Sequence, residues 1–238
     1  MQKISEGIHV QNLIARHMGL WEAQRQAREQ QIAPQTLQRV PLGPYITFSR
    51  EYGSGGLEIS KRVAERLNWQ HFDREIIEAI AESAHTHEEM IALFDEHVRN
   101  ALDTWVHNLL TRETFDDSHY LAHLVRVLSA IAAHGNAVIV GHGANFVLPA
   151  ENGLRVRVIA PLELRIQNFI RDRGISREEA QHEVQMRDEE QAEFIHHHFH
   201  KDHADPFAYD LILNTANVTV VEAVTIVVQA AEAKFRKN

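Results

Sequence analysis

Cysteine is absent from all 238 residues. That excludes disulfides, thiolate metal sites and cysteine nucleophiles, and it fits a reducing cytoplasm. No apolar run reaches the length of a membrane span. The first thirty residues carry no signal-peptide pattern, since Lys3 is followed by mixed polar and apolar residues. The expected location is therefore the cytoplasm, with no membrane partner. A basic footprint is missing too. The net charge is −9, and residues 1–44 hold 5 basic and 3 acidic side chains, leaving 19 basic and 30 acidic in the remainder. Nucleic-acid binding leaves a basic patch, so no nucleic-acid partner is expected. No G-x-S-x-G sits between a strand and a helix, which leaves a Ser-His-Asp hydrolase unsupported. There are no internal repeats and no low-complexity segment.

The chain is long enough for one α/β domain with insertions, or one and a half domains, and for a sizeable core without staples. Histidine is abundant, 17 of 238 residues, so charge varies steeply between about pH 6 and 7.

Hydrophobic periodicity predicts a helix over 5–32, with Leu13, Ile14, His17, Leu20 and Trp21 as its apolar stripe. Pro34, Pro41, Gly43 and Pro44 then break the chain into a linker. Residues 1–44 read as a helical extension, a packing arm or a homodimer contact. From Tyr45 onward, strands and helices alternate. Strands are expected at 45–49, 69–72, 137–140, 155–159 and 211–213. Helices are expected at 57–67, after the cap Asp73, over 86–112 and 118–134, at 162–173 after Pro161, over the very polar 176–200, and at 220–235. This order implies a parallel five-stranded sheet with helices on both faces, filling 45–238. Ligands then bind beyond the carboxyl ends of the strands. Those ends are 49–56, 73–75, 141–145, 160–161 and 214–215.

The stretch Ile46-Thr-Phe-Ser-Arg-Glu-Tyr-Gly-Ser-Gly-Gly-Leu-Glu-Ile59 joins a strand to a helix through glycines. That geometry aims backbone amides and a helix N-terminus at an anion, usually a phosphate. The phosphate loop of nucleotide-handling enzymes reads G-x-x-x-x-G-K-[ST]. Here Gly56 holds the lysine position and Leu57 the hydroxyl position.

Ser49–Gly56, Phe72-Asp-Arg-Glu-Ile-Ile77, Val140-Gly-His-Gly-Ala-Asn145, Ala160-Pro-Leu-Glu-Leu-Arg-Ile166 and Tyr209-Asp-Leu-Ile-Leu-Asn-Thr215 together resemble the cytidylate-kinase-like family of bacterial proteins, over about Tyr45 to Ala231. The resemblance implies a nucleoside-monophosphate-kinase fold, with a P-loop core, a helical substrate-binding insertion and a lid, placed at about 174–206. It implies phosphoryl transfer from ATP, with Mg²⁺, to a nucleotide or other small-molecule acceptor. The sequence departs from cytidylate kinases at Gly56. It departs again at Gly141-His142-Gly143, where they carry Gly-Arg-Asp. In the lid Arg187-Asp188 survives, but Gln191, Ala192, Glu193 and Phe194 follow where arginines are expected.

Phosphoryl transfer needs positive charge around the moving group. The candidate catalytic residues are Arg50, Asp73, Arg165, Arg171 and Arg187, with Arg173 beside them. Arg50 could reach across the loop in place of the lysine, or pair with Glu51 or Glu58. Ser49, Arg50, Gly53, Ser54, Gly55, Gly56 and Leu57 are the candidate ATP-binding residues. Asp73, Arg74, His142 and Asn145 are the candidates for the acceptor. Asp73 has a second reading as a helix cap, and Glu58 as a first-turn acid rather than a Mg²⁺ neighbour. Residues 176–205 hold three basic side chains against nine carboxylates, which is unlike a lid that closes on phosphate. His196, His197, His198, His200 and His203 read as a solvated, pH-responsive helix end, and His119 and His123, four apart on a helix, have a spacing that can share one zinc; without cysteine or a spaced motif no metal-binding residue is assigned, and metal sensing stays a third alternative. The rival reading is a non-catalytic phosphate-binding protein on the same scaffold, acting through protein partners.

Overall fold

The fold comes from a computed structural model, which describes residues 2–29, 42–94, 96–110 and 119–236. The linker residues Pro34 and Pro41, the helix ends expected at 30–32 and 111–112, and the side chain of His119 lie outside the described residues. The chain forms two compact units, one of residues 1–43 with 72–135 and one of residues 44–71 with 136–238.

The first unit is helical. It begins with α1 (Gln2–Glu29) and resumes at the end of strand β2, after β1 (Tyr45–Arg50), α2 (Gly56–Leu67) and β2 (Gln70–Phe72). It then holds α3 (Arg74–Glu82), α4 (Ala84–Ala92), α5 (Glu96–Leu110) and α6 (His119–His134). The expected stripe of α1 narrows to Ile14, His17 and Trp21, which are buried, while Leu20 is exposed. Trp21 stacks on His134 at 4.0 Å and 6°, His17 on Phe72 at 4.4 Å, and Phe94 meets His134 at 4.2 Å. Helix α6 is apolar nearly all round, and its residues 121–132 are largely inaccessible, as expected of a central helix. Asp73 caps α3, its carboxylate accepting the Ile76 amide at 3.2 Å.

The second unit contains the sheet. After α6 come β3 (Ala137–Val140), the short α7 (Ala144–Val147), β4 (Gly153–Ile159), α8 (Leu162–Arg173), α9 (Arg177–Phe199), β5 (Leu211–Asn214) and α10 (Val220–Phe235). The strand order is β2-β3-β1-β4-β5, and β1 pairs in parallel with both β3 and β4. Such a central strand must be apolar on both faces, which is why Tyr45–Phe48 are all buried. On one face Ile46, Phe48, Val138, Val140, Val156 and Val158 pack against Ile59 and Val63 of α2 and Val224 and Val227 of α10. Each such side chain contributes roughly 1.5–3 kcal/mol, and a carboxylate at Val156 would be buried without a partner. Asp210 locks the sheet edge: it accepts from the Arg155 guanidinium at 2.8 Å, the Arg155 amide at 2.9 Å and Lys234 at 3.2 Å. Burial raises the Asp210 pKa, but these donors outweigh it and hold the carboxyl below its usual range. Among the described residues no helix is long and apolar enough to cross a membrane.

Candidate phosphate site

Strand β1 ends at Arg50, and the chain turns sharply before α2. The turn closes on itself: Glu51 carbonyl oxygen accepts the Ser54 amide at 3.2 Å and the Ser54 hydroxyl at 2.7 Å. The next three carbonyls are held from the protein side. Arg165 donates to Tyr52 O at 3.4 Å, Asn168 to Gly53 O at 2.8 Å and Thr215 to Ser54 O at 2.9 Å. A trans peptide points its N–H opposite its C=O. Anchoring these carbonyls therefore turns the following amides the other way. Ser54 spends its amide within the turn. Among the described residues no acceptor meets the amides of Gly53, Gly55, Gly56 or Leu57. The last two belong to the first turn of α2, whose amides have no intrahelical acceptor. The helices α9 and α10 close their N-termini with capping boxes from Ser176 and Thr219, but α2 has Gly55 as its N-cap, in the left-handed region at φ 81°, with no side-chain cap.

Beneath the turn lies a buried ionic layer that sequence reasoning missed. Glu51 accepts the Ala160 amide at 3.0 Å, and its carboxylate lies 3.5 Å from Arg165 Nε and 3.8 Å from Arg157 Nη2. Arg165 is bound to Asp188 of α9 at 2.5 Å, and the same carboxylate takes the Tyr52 amide at 3.4 Å. Arg157 donates to Ser49 Oγ at 3.2 Å and to the Tyr209 hydroxyl at 3.4 Å. The signal for Arg157 was an arginine set between Val156 and Val158 in a strand expected to be buried. Asn168 left none, because a surface-like asparagine on a polar helix has no pattern to mark it.

The candidate cations separate. Arg50 lies at the strand end, with its guanidinium 5.3 Å from the Tyr52 ring centroid. Its stem covers Gly56, where a Cβ would lie 2.7 Å from Arg50 Cβ and 3.4 Å from Arg50 Cδ. Its Nη1 is 3.9 Å from where a Cβ on Gly141 would stand, so it reaches the turn after β3. Arg187 also lies over the Tyr52 ring, at 5.8 Å, with Glu190 at 3.4 Å and Glu183 at 3.8 Å. Arg165 is buried and committed to carboxylates. Arg171 is largely exposed and pairs with its neighbour Asp172 at 3.0 Å; Arg173 lies over Phe169. Ser49 is buried against Arg157 and Tyr209. Glu58 pairs with Arg62 at 2.5 Å on the exposed face of α2.

At the end of β3, Gly141, His142 and Gly143 all take positive φ, of 86°, 53° and 66°. Gly143 has no room for a side chain, since its Cβ would lie 2.3 Å from the Phe199 ring. His142 is buried with its ring edge-on to Phe194, centroids 6.2 Å apart. The Asn145 side-chain nitrogen is buried with no hydrogen-bond partner among the described residues. Asp73 and Arg74 belong to the helical unit, where Arg74 pairs with Glu78 at 2.7 Å. His196, His197 and His198 stand in the last turn of α9, with Glu190, Glu193 and Phe194 around a shallow cavity. Among the described residues no three His, Asp or Glu side chains are grouped to hold a metal.

The arrangement fits a phosphate ester better than it fits a protein-bound metal. Open amides and the Arg50 guanidinium suit anionic oxygens. Mg²⁺ requires hard oxygen ligands, but Leu57 is apolar and Glu51 and Asp188 are tied to arginines. No step is therefore assigned to the ion.

No curated protein matches the chain. A solved structure from Eubacterium ventriosum, described as an uncharacterized protein, is 17% identical and superposes with a TM-score of 0.64, covering 80% of this chain and 98% of that one. Shikimate kinase from Bacteroides thetaiotaomicron is 14% identical, with a TM-score of 0.44, covering 79% of this chain and 98% of that one. The model of the cytidylate kinase-like family matches residues 45–217, and the chain belongs to that family.

Proposed function

We propose that this chain binds ATP or a related nucleoside triphosphate with its terminal phosphates against the Gly53–Leu57 turn, and transfers a phosphoryl group to a nucleoside monophosphate or other small acceptor. The observation that carries the reading is the anchoring of the Tyr52, Gly53 and Ser54 carbonyls by Arg165, Asn168 and Thr215, which turns amides toward an open helix start. Arg50 supplies the cation that lysine supplies in a standard phosphate loop. During transfer the bond from the terminal phosphorus to its bridging oxygen breaks and a bond to the acceptor oxygen forms, with charge spread over the three equatorial oxygens. Donors already in place stabilise that charge without reorganising. In this reading His142 and Asn145 line the acceptor side, and the unpartnered Asn145 amide donates to the acceptor. Asp73 and Arg74 remain acceptor candidates. Any Mg²⁺ would be brought by the nucleotide's phosphates and not held by side chains of this turn. A cytoplasmic setting fits the absence of cysteine.

A second reading is a nucleotide-binding protein without turnover. The commitment of Arg165 to Asp188 and Glu51 favours it, because one expected clamp is withdrawn from the phosphates. One experiment separates the two. Melting temperature is measured with and without ATP and Mg²⁺, for the wild type and Arg50→Ala, followed by turnover with a panel of nucleoside monophosphates. A melting-temperature rise that Arg50→Ala abolishes, together with turnover, supports the first reading. The same rise without turnover supports the second. No rise and no turnover would remove both.

A further inference from the structure

Two cations from distant parts of the chain lie over one ring. Arg50 ends β1 and Arg187 sits in the middle of α9, yet their guanidiniums stand 5.3 and 5.8 Å from the centroid of Tyr52. Tyr52 is itself fixed at both ends of its backbone. Its amide donates to Asp188 and its carbonyl accepts from Arg165, which are joined to each other. The backbone that carries the ring is therefore held by the same ion pair that ties α9 to the turn. We propose that Tyr52 is a positioning residue: its ring gathers Arg50 and Arg187 into one anion-binding set at the phosphate turn, and so joins α9 to the nucleotide. The inference rests on the reading of that turn as a phosphate site.

The physical case has three parts. A guanidinium is attracted to the face of an aromatic ring by the ring's quadrupole. A guanidinium that meets a ring with its flat face keeps its N–H edge, which binds carboxylates and phosphates. Stacking therefore orders an arginine without using the donors that would grip an anion. Long flexible arginines lose rotamer freedom when they bind, and two that are already ordered lose less of it at the moment of binding. The competing carboxylates around Arg187 do not oppose this. Glu183 and Glu190 are half-exposed and 3.8 and 3.4 Å away, and such surface pairs bind weakly. The acidic composition of α9 is compatible with the same picture, because Asp188 is turned onto Arg165 and away from a phosphate.

The test is ATP binding to the full chain by titration calorimetry, with circular dichroism as the check on folding. Tyr52→Leu removes the ring face and is expected to weaken ATP binding roughly 5- to 20-fold. Tyr52→Phe keeps the face and is expected to retain the affinity. Pentafluorophenylalanine at position 52 keeps the shape and reverses the quadrupole; it is expected to behave like Tyr52→Leu, and it keeps the proposal testable if the leucine variant fails to fold. Arg187→Gln is expected to weaken binding in the wild type and to have little further effect in Tyr52→Leu. Equal affinity in all ring variants, loss in Tyr52→Phe, or fully additive losses for Tyr52 and Arg187 overturn the positioning role and leave the phosphate reading standing. Absence of ATP binding to the wild type overturns both.

Discussion

The side chain of Arg50 occupies the space that a side chain on Gly56 would need. A Cβ at position 56 would lie 2.7 Å from Arg50 Cβ and 3.1 Å from Val158 Cβ. The standard phosphate loop has a glycine at the first position and a lysine at the seventh. This chain has Arg50 and Gly56 at those places. The two departures are thus one sterically linked change, and the positive charge enters from the opposite end of the loop.

That linkage gives the first prediction. Gly56→Lys alone forces its stem into the Arg50 stem and is expected to destabilise by about 1–3 kcal/mol, the usual range for overpacking. Combining it with Arg50→Gly clears the space and is expected to recover at least half of that loss. Urea denaturation of both variants is the measurement. A single variant as stable as the wild type, or a double variant no better than the single, contradicts the linkage.

The pair Arg165–Asp188 underlies the turn. Asp188→Asn leaves the buried Arg165 guanidinium with Glu51, 3.5 Å from its Nε, as its charged partner and weakens the Tyr52 amide bond. The expected loss is about 1–3 kcal/mol of stability, the range for an under-satisfied buried group. Arg171→Gln serves as the contrast. Arg171 is exposed and pairs only with its neighbour among the described residues, so its loss is expected within about 0.5 kcal/mol.

His203 sets a pH dependence. Burial lowers its pKa below the usual 6.5, and the nearby Arg157 lowers it further, against the pull of Asp202, Asp188 and Glu51. The native state therefore disfavours the proton that the unfolded state accepts. The stability from a neutral His203 is complete above about pH 6.5 and is lost as pH falls from there toward the folded-state pKa. Unfolding free energies at about pH 7.5 and about pH 5 are expected to differ less in His203→Gln than in the wild type. An unchanged difference would assign the pH dependence to the other histidines.

In the helical unit, Trp21 is almost fully buried and stacks on His134 and Phe72. Trp21→Ala is expected to cost about 3–5 kcal/mol, with loss of the near-ultraviolet dichroism of the packed indole. A small effect, with a change in oligomeric state on size-exclusion chromatography, would instead assign α1 to contacts between copies.

Much of this was legible in the sequence because it depends on local pattern. Apolar runs at 45–49 and 137–140, bounded by glycine and proline, marked buried parallel strands. Asp73 was readable as a cap from its place before Ile76 and Ile77. The expected helix over 86–112 was less so. The structure has two helices there, α4 and α5, and residues 93 and 94 belong to neither. The short α7 was missed, since one helical turn carries no periodicity. At the site the glycines were visible. The roles of Asn168, Thr215 and Arg157 were not, because each bonds to a group more than fifty residues away in sequence.

The sequence by itself determined that an anion-seeking strand–turn–helix begins the α/β region, and that lysine and hydroxyl are missing from it. Residue identity and period are local properties, and they suffice for that. Only the tertiary structure decided which arginines are spent and which are presented. Arg165 and Arg187 are both arginines on polar helices. Burial beside Asp188 commits the first to holding the turn, while the ring of Tyr52 orders the second beside Arg50. The worth of a charge depends on its neighbours and its exposure to water, and folding sets both.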